Sequence, residues 1–190
     1  AGYYPSAEQM TLKLLFDPDS GKVLGAQGIG GAGVDKRIDV LAVAIQAGMT
    51  VFDLEEMELA YAPQFGSAKD PINMAGFVAA GLLRDDHPQI GVKTLLESPA
   101  GERPFLLDVR TAEEFAAGHI PGAVNIPVDD LRSRLGDLPK DGKIAAYCKV
   151  GQRGYLATRI LNQSGFAAMN VSGGYMTYRL FHPKSDENEN

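Results

Sequence analysis

The chain has 190 residues, 45% of them hydrophobic and 22% charged, a composition suited to one large globular domain or two small ones. Its net charge of −6 argues against a nucleic-acid partner, which requires a basic face. No apolar run approaches the roughly 18 to 20 residues of a membrane helix, so neither nucleic acid nor a membrane is an expected partner. A single cysteine, Cys148, excludes an internal disulfide framework and fits a reducing, cytoplasmic setting.

The sequence opens on Ala1-Gly2 without a methionine or a secretory pattern and soon enters the apolar run Thr11 to Phe16, as expected of a processed chain or a piece of a longer one. Leu12 to Phe16 and Lys22 to Gln27 flank Asp17-Pro18-Asp19-Ser20-Gly21, whose turn residues predict an antiparallel hairpin. Val34, Ile38, Leu41 and Ile45 then recur at helical spacing, with Asp35 near the start and Gly48 as the stop. Asp53 followed by Glu56 predicts a capping box for a short helix that ends before Pro63. Asp70 and Pro71 fit the N-cap and first turn of a helix running through Met74, Phe77 and Val78 to Gly81. A hairpin plus helices of about 80 residues has a thin core for its size and gains from a partner surface.

Within this half, Gly28-Ile29-Gly30-Gly31-Ala32-Gly33 matches G-x-G-x-x-G, and Asp53 lies 20 residues beyond Gly33. The preceding strand is the return arm of a hairpin and no further strand follows, so no dinucleotide-binding half-sheet can be built. The run reads as a turn that lets helix and strand pack closely, and no cofactor is expected in this chain.

Residues 1–81 thus form a first domain, the polar stretch 82–88 a linker, 89–181 a second domain, and 182–190 a disordered acidic tail containing Asp186, Glu187 and Glu189. The second domain alternates strand and helix, which implies a parallel sheet with right-handed crossovers. Phe105 to Val109 is a strand; Thr111 with Glu114 caps a helix that Gly118 ends. Ala123 to Ile126 is a short strand, Val128 to Leu135 a helix, and Lys143 to Tyr147 the apolar central strand. The loop Cys148-Lys149-Val150-Gly151-Gln152-Arg153-Gly154 follows, then a helix over Tyr155 to Asn162 and a strand over Ala167 to Val171, closed by Gly173-Gly174.

A thiol at the end of a strand, under the backbone N–H groups of a Gly-containing turn and at the start of a helix, is in surroundings that favour an anion. Lys149 and Arg153 add two cations, which would also attract anionic donors. Such a sulfur can attack a sulfane sulfur, carry it as a persulfide and pass it to an acceptor thiol, while the inward N–H groups hold the negative charge much as an oxyanion hole does. A lone buried cysteine that only packs is the alternative. His87, His119 and His182 show no metal-ligand spacing, so no metal site is expected; His119 reads as a structural hydrogen-bonding residue.

Asp108-Val109-Arg110-Thr111-Ala112-Glu113-Glu114-Phe115, Gly118-His119-Ile120-Pro121-Gly122-Ala123-Val124-Asn125-Ile126-Pro127, the Cys148 loop and Ser172-Gly173-Gly174-Tyr175 closely resemble the rhodanese family, in the family's order and spacing. The resemblance covers roughly residues 89 to 181 and implies an α/β domain with a five-stranded parallel sheet. It also implies a sulfurtransferase in which Cys148 is catalytic, Lys149 to Gly154 form the substrate loop, and Asp108 with Arg110 form a structural ion pair behind it. Tyr178 stands where the family often has tryptophan, a packing change. Cys-based phosphatases carry a related cradle, but with a longer loop than the four residues between Cys148 and Arg153.

Val34 to Val40, Tyr61-Ala62-Pro63 and Ser67 to Phe77 resemble the dimerisation domain of FAD-dependent pyridine-nucleotide disulfide reductases, and among these the coenzyme A-disulfide reductases fused to a rhodanese. That resemblance implies a small α+β domain with antiparallel strands that makes a homodimer, with Tyr61 reaching the partner subunit's redox site. It implies a full-length parent of which this chain is the C-terminal part, using FAD, NAD(P)H and coenzyme A. Thiosulfate, polysulfide or coenzyme A persulfide are the expected sulfur donors and a small thiol the acceptor; a non-catalytic dimerisation and docking module is the competing reading.

Overall fold

In the computed structural model, residues 2–99 and 101–182 are described, and the chain divides into two compact units, Ala1–Asp86 and His87–Asn190. Apart from His182, the acidic tail expected at 182–190 lies outside the described residues.

The first unit opens with the predicted hairpin, β1 (Met10–Phe16) and β2 (Val23–Gly30), paired antiparallel. The turn is made by Asp17, whose carboxylate accepts the backbone N–H groups of Asp19 and Ser20 at 3.0 and 2.7 Å. Along β1 burial alternates, and Leu12, Leu14 and Phe16 point at the core. Helix α1 (Val34–Gln46) brings Leu41 and Ala44 onto Val23, where Val51 and Leu54 of α2 (Val51–Glu56) and Ile72, Ala79 and Ala80 of α3 (Pro71–Leu83) complete the core.

Three details differ from the sequence reading. Strand β2 runs through Gly28 and Gly30, so half of the G-x-G-x-x-G run is strand and not loop. A Cβ on Gly28 would meet Val34 and Ile38 of α1 at 2.8 and 3.1 Å, which is the close strand–helix packing that glycine allows there. The capping box of α2 is Thr50 with Asp53, one turn earlier than Asp53 with Glu56; a hydroxyl at Thr50 took the N-cap, and Asp53 serves at the third position. Asp70 caps α3 as expected, but the helix continues to Leu83, so residues 82 and 83 are helix and not linker.

Asp70 also receives Arg37 in a buried bidentate pair, with Nη2 and Nε 2.5 to 3.2 Å from its oxygens. Asn73 on the next turn donates to the carbonyls of Leu54 and Met57 and so fastens the end of α2 to α3.

The second unit is a five-stranded, all-parallel sheet in the order β3-β7-β6-β4-β5: β3 (Gln89–Gly91), β4 (Phe105–Asp108), β5 (Val124–Asn125), β6 (Lys143–Tyr147) and β7 (Ala167–Ser172). The helices are α4 (Val92–Glu97), α5 (Ala112–Ala116), α6 (Gln152–Gln163) and α7 (Gly174–Phe181). Residues of β6 alternate between two cores: Ile144 and Ala146 meet Leu107, Ala157 and Leu161 on one face, and Ala145 and Tyr147 meet Val92, Leu95, Val171 and Tyr178 on the other. Strand β6 lies where it was expected. Val128 to Leu135 is not a helix but leads into two short 3₁₀ turns, Leu131–Ser133 and Leu135–Asp137, and only Leu131 among those six residues is fully buried. Helix α6 starts at Gln152, three residues before the sequence places it, so Gln152, Arg153 and Gly154 form its first turn.

Gly76 tests how tightly the first unit is packed. A Cβ there would collide with the backbone of Leu54 and Glu55, so α2 and α3 are in contact through bare backbone. Alanine normally favours a helix over glycine by about 1 kcal/mol. Gly76→Ala is nevertheless expected to destabilise the protein by about 1 to 3 kcal/mol, because the two helices must separate. Urea unfolding is the check, and a midpoint equal to or above wild type would contradict the packing.

Candidate active site

Cys148 is the first residue beyond β6, at the C-terminal edge of the sheet, where parallel α/β folds place their ligands. Its side chain is 1% exposed. The sulfur accepts the backbone N–H of Gly151 at 3.1 Å, and Gly151 is the N-cap of α6, so the thiol faces the positive end of a 12-residue helix. Gly151 has φ +135°, a backbone that only glycine adopts without strain.

The turn is clamped from below by α7. The N–H groups of Tyr175 and Met176, at the start of that helix, donate to the carbonyls of Cys148 and Lys149 at 2.8 and 3.0 Å. This close approach requires Gly174, since a Cβ there would collide with the carbonyl of Cys148. Lys149 and Val150 are exposed, Gly154 is buried, and Gln152 points outward.

Arg153 differs from expectation. It is not a free cation over the thiol: its guanidinium pairs bidentately with Glu114 at 2.6 and 2.9 Å. Hydrogen bonds to Glu114, and in smaller part the Cys148 sulfur, hold Arg153 more firmly protonated. The same contact lowers the Glu114 carboxyl from its ordinary 4.5 to about 2. Glu114 also accepts the N–H of Thr111 at 3.1 Å in the capping box of α5, so one carboxylate ties the β4–α5 corner to the cysteine turn. The sequence reading found Glu114 as a cap; its second role depends on a partner 39 residues away. Lys149 is left as the loop cation without an ion-pair partner among the described residues.

Asp108 and Arg110 form a nearly fully buried bidentate pair. Burial opposes the Arg110 charge, and the hydrogen bonds to Asp108 more than offset it. Arg110 also donates to the carbonyl of Gly118 at 2.7 Å and lies 4.1 Å over the Tyr175 ring, at the start of α7. His119 stacks on Phe115 with ring centroids 3.8 Å apart. Among the described residues no cluster of three or more His, Cys, Asp or Glu side chains could hold a metal, and no helix is long and apolar enough to cross a membrane.

Two residues escaped the sequence reading. Asn170 of β7, 4% exposed, donates through Nδ2 to the carbonyl of Gly151 at 3.1 Å. His87, assigned by sequence to the linker, is 5% exposed, with Nε2 3.3 Å from Asn170 Nδ2 and its ring edge-on to Tyr155. In the first unit Tyr61 is half exposed and its hydroxyl lies 3.3 Å from that of Tyr3, a contact that raises the Tyr61 pKa.

The depressed Glu114 carboxyl sets a pH window. A group whose folded pKa is lowered stabilises the fold above its unfolded value and loses that contribution as pH falls through the folded value. The Glu114–Arg153 contribution is therefore complete above about pH 4.5 and lost toward pH 2. Glu114→Gln is expected to cost about 1 kcal/mol at neutral pH, since both side chains are about one-third exposed. Its thermal midpoint should fall less steeply than wild type over that window; parallel curves would contradict the assignment.

Residues 92–180 match the rhodanese-like domain family, and residues 1–70 the pyridine nucleotide-disulphide oxidoreductase dimerisation domain. The fold is similar to that of reduced CoADR-RHD from Bacillus anthracis, at a TM-score of 0.92 and 44% identity over 96% of this chain and 33% of that one. It is also similar to an NAD-dependent persulfide reductase from A. fulgidus, at 0.81 and 38% over 94% of this chain and 31% of that one. A coenzyme A disulfide reductase of Staphylococcus epidermidis is 47% identical over 79 residues, 42% of this chain and 18% of that protein. The chain thus spans about a third of the two solved proteins and less of the curated relative. It belongs to the proteins that join a pyridine nucleotide-disulphide oxidoreductase dimerisation domain to a rhodanese-like domain.

Proposed function

We propose that the second unit is a sulfurtransferase module that carries sulfane sulfur as a persulfide on Cys148. The observation that carries this reading is the sulfur itself, at the C-terminal edge of the sheet, facing the Gly151 N–H at the head of α6. In the first step the Cys148 thiolate attacks the outer sulfur of a donor such as thiosulfate or a polysulfide. A bond from Sγ to that sulfur forms, the donor's S–S bond breaks, and its electron pair leaves with sulfite or the shortened polysulfide. In the second step an acceptor thiolate attacks the outer sulfur, and the Cys148 thiolate is the leaving group. Negative charge stays near one point throughout, which a fixed N–H and a helix N-terminus hold without rearrangement.

The module is assigned to an enzyme that reduces coenzyme A disulfide, coenzyme A persulfide or polysulfide with NAD(P)H and FAD. The names of the two similar solved proteins and the curated relative support this reading. The Gly28–Gly33 run does not fit a dinucleotide, because it leaves a two-stranded antiparallel hairpin and its Gly28 packs β2 directly against α1. The first unit is assigned to a homodimer in which Tyr61, exposed beside Tyr3, faces the redox site of the partner subunit. Loss of its hydroxyl would then impair reduction by the parent enzyme and leave sulfur transfer at Cys148 untouched.

Incubation with polysulfide followed by intact-mass measurement is expected to add one or more sulfur atoms to the wild-type chain and none to Cys148→Ser. Thiosulfate:cyanide transfer should disappear in the same variant with its thermal midpoint unchanged. Wild-type protein that acquires no sulfur would leave the second unit a docking module.

A further inference from the structure

Resting on the sulfur-transfer reading and extending it, we propose that Asn170, with His87 behind it, is a positioning residue. It fixes the far side of Gly151 so that the Gly151 N–H stays aimed at the Cys148 sulfur. Asn170 acts through the backbone of one glycine, and His87 acts through Asn170.

Gly151 makes polar contacts at both ends. Its N–H points at Sγ, and its carbonyl accepts the N–H of Tyr155 at 2.8 Å and Nδ2 of Asn170 at 3.1 Å. A glycine at φ +135° has no side chain to restrict its rotation, so hydrogen bonds to its carbonyl hold the peptide unit after it while α7 holds the carbonyls of Cys148 and Lys149 before it, and together they limit the freedom with which the N–H could turn away. Asn170 can reach this carbonyl because Gly154 lacks a Cβ; one placed there would collide with Asn170 Oδ1.

The carboxamide is oriented for donation. Its oxygen is buried and has no hydrogen-bond partner, which is unfavourable for a polar group. An apolar residue would fill the same volume without that cost, so packing alone does not account for an asparagine. The reversed amide would set its oxygen against the Gly151 carbonyl oxygen. With Nδ2 donating, the His87 Nε2 lone pair, 3.3 Å away, receives the second N–H, and the ring proton falls on Nδ1, where the Gln89 side-chain amide, 3.2 Å away, accepts it through its oxygen once that amide is turned by half a rotation. His87 is thereby an acceptor that selects the donating orientation of Asn170, held in place by edge-on contact with Tyr155 at 4.6 Å.

The test compares Asn170→Ala, His87→Phe and His87→Gln in the full chain. Phenylalanine keeps a ring against Tyr155 and loses the acceptor; glutamine loses the ring and keeps an acceptor oxygen near the place of Nε2. Two readouts are taken on each: kcat and KM for thiosulfate:cyanide transfer, and backbone hydrogen exchange of the segment 148–153. In Asn170→Ala and His87→Phe, kcat is expected to fall about tenfold at little changed KM, less than the loss of a whole oxyanion-type donor. Exchange in the segment should rise about fivefold, the equivalent of one neutral hydrogen bond. His87→Gln should recover most of both effects. Unchanged kcat and exchange in the first two variants would overturn the proposal, as would His87→Gln performing no better than His87→Phe. If Asn170→Ala does not fold, the two His87 variants decide by the same criteria. A wild-type chain that transfers no sulfur would sink the sulfur-transfer reading, and the exchange data alone would then judge the positioning of Gly151.

Discussion

The reversal of the chain after β6 is the constraint on which the second unit depends. In the six residues from Cys148 to Arg153 the backbone leaves a strand buried from Ile144 to Tyr147, exposes Lys149 and Val150, and enters a helix at Gln152. Such a turn leaves backbone groups unpaired unless other elements supply partners. Three do so: α7 donates two N–H groups to the carbonyls of Cys148 and Lys149, β7 sends Asn170 to the carbonyl of Gly151, and α5 holds Arg153 through Glu114. The glycines at 151, 154 and 174 are required by these approaches, the first by its φ and the other two by lack of room. The sulfur is one of the groups that this scaffold orients, with the Gly151 N–H aimed at it.

Ion pairing changes the electrostatic account of the site. Arg153 looks from the sequence like a free cation near a thiol, yet Glu114 matches it, and Arg110 is paired with Asp108 as expected. Opposed pairs of this kind fix geometry more than they supply net charge. The sulfur faces the N-terminal end of α6 and the Gly151 N–H, and Arg153, held by Glu114, keeps a smaller interaction with it. In the proposed sulfur transfer, negative charge on a persulfide would be held chiefly by fixed dipoles, which need not reorganise as the sulfur moves. In the same proposal, exposed Lys149 would meet small anionic donors as a single flexible point charge that suits ligands of varied shape.

Those features that depend on neighbours in sequence were legible in it. The turn residues Asp17 to Gly21 gave the hairpin, the apolar run 143–147 the central strand, and Thr111 with Glu114 a cap, because each signal is complete within a few residues. Where two local signals competed, the reading slipped: Asp53 resembled an N-cap, but Thr50 three residues earlier offered a hydroxyl with a better-placed acid behind it. The long-range polar pairs were out of reach. Arg37 meets Asp70 across 33 residues, Arg153 meets Glu114 across 39, and Asn170 meets His87 across 83. Nothing in the spacing of such residues announces a partner; only the packing of helices and strands brings them together. His87 sits in a polar, Pro-containing stretch that reads as linker, and its burial follows from β3 and β7 pairing immediately after it.

The first unit applies the same logic to a surface. Its interior is small, yet it contains a buried arginine–aspartate pair and an asparagine that donates to two carbonyls at the end of α2. Buried charges of this kind contribute little net stability, but they restrict the helices to one arrangement, since any other leaves them unpaired. That arrangement leaves Val43, Met74, Phe77 and Val78 on α1 and α3 with more than a third of their surface exposed. Apolar groups left outside such a thin core favour a partner, and a two-fold contact between identical copies needs a surface of fixed shape, because each patch must complement its own image. A polar interior that sets the angle of α3 to α1 and α2 is what gives the proposed dimer a defined surface to match, and Gly76, by bringing α2 and α3 into backbone contact, fixes their separation.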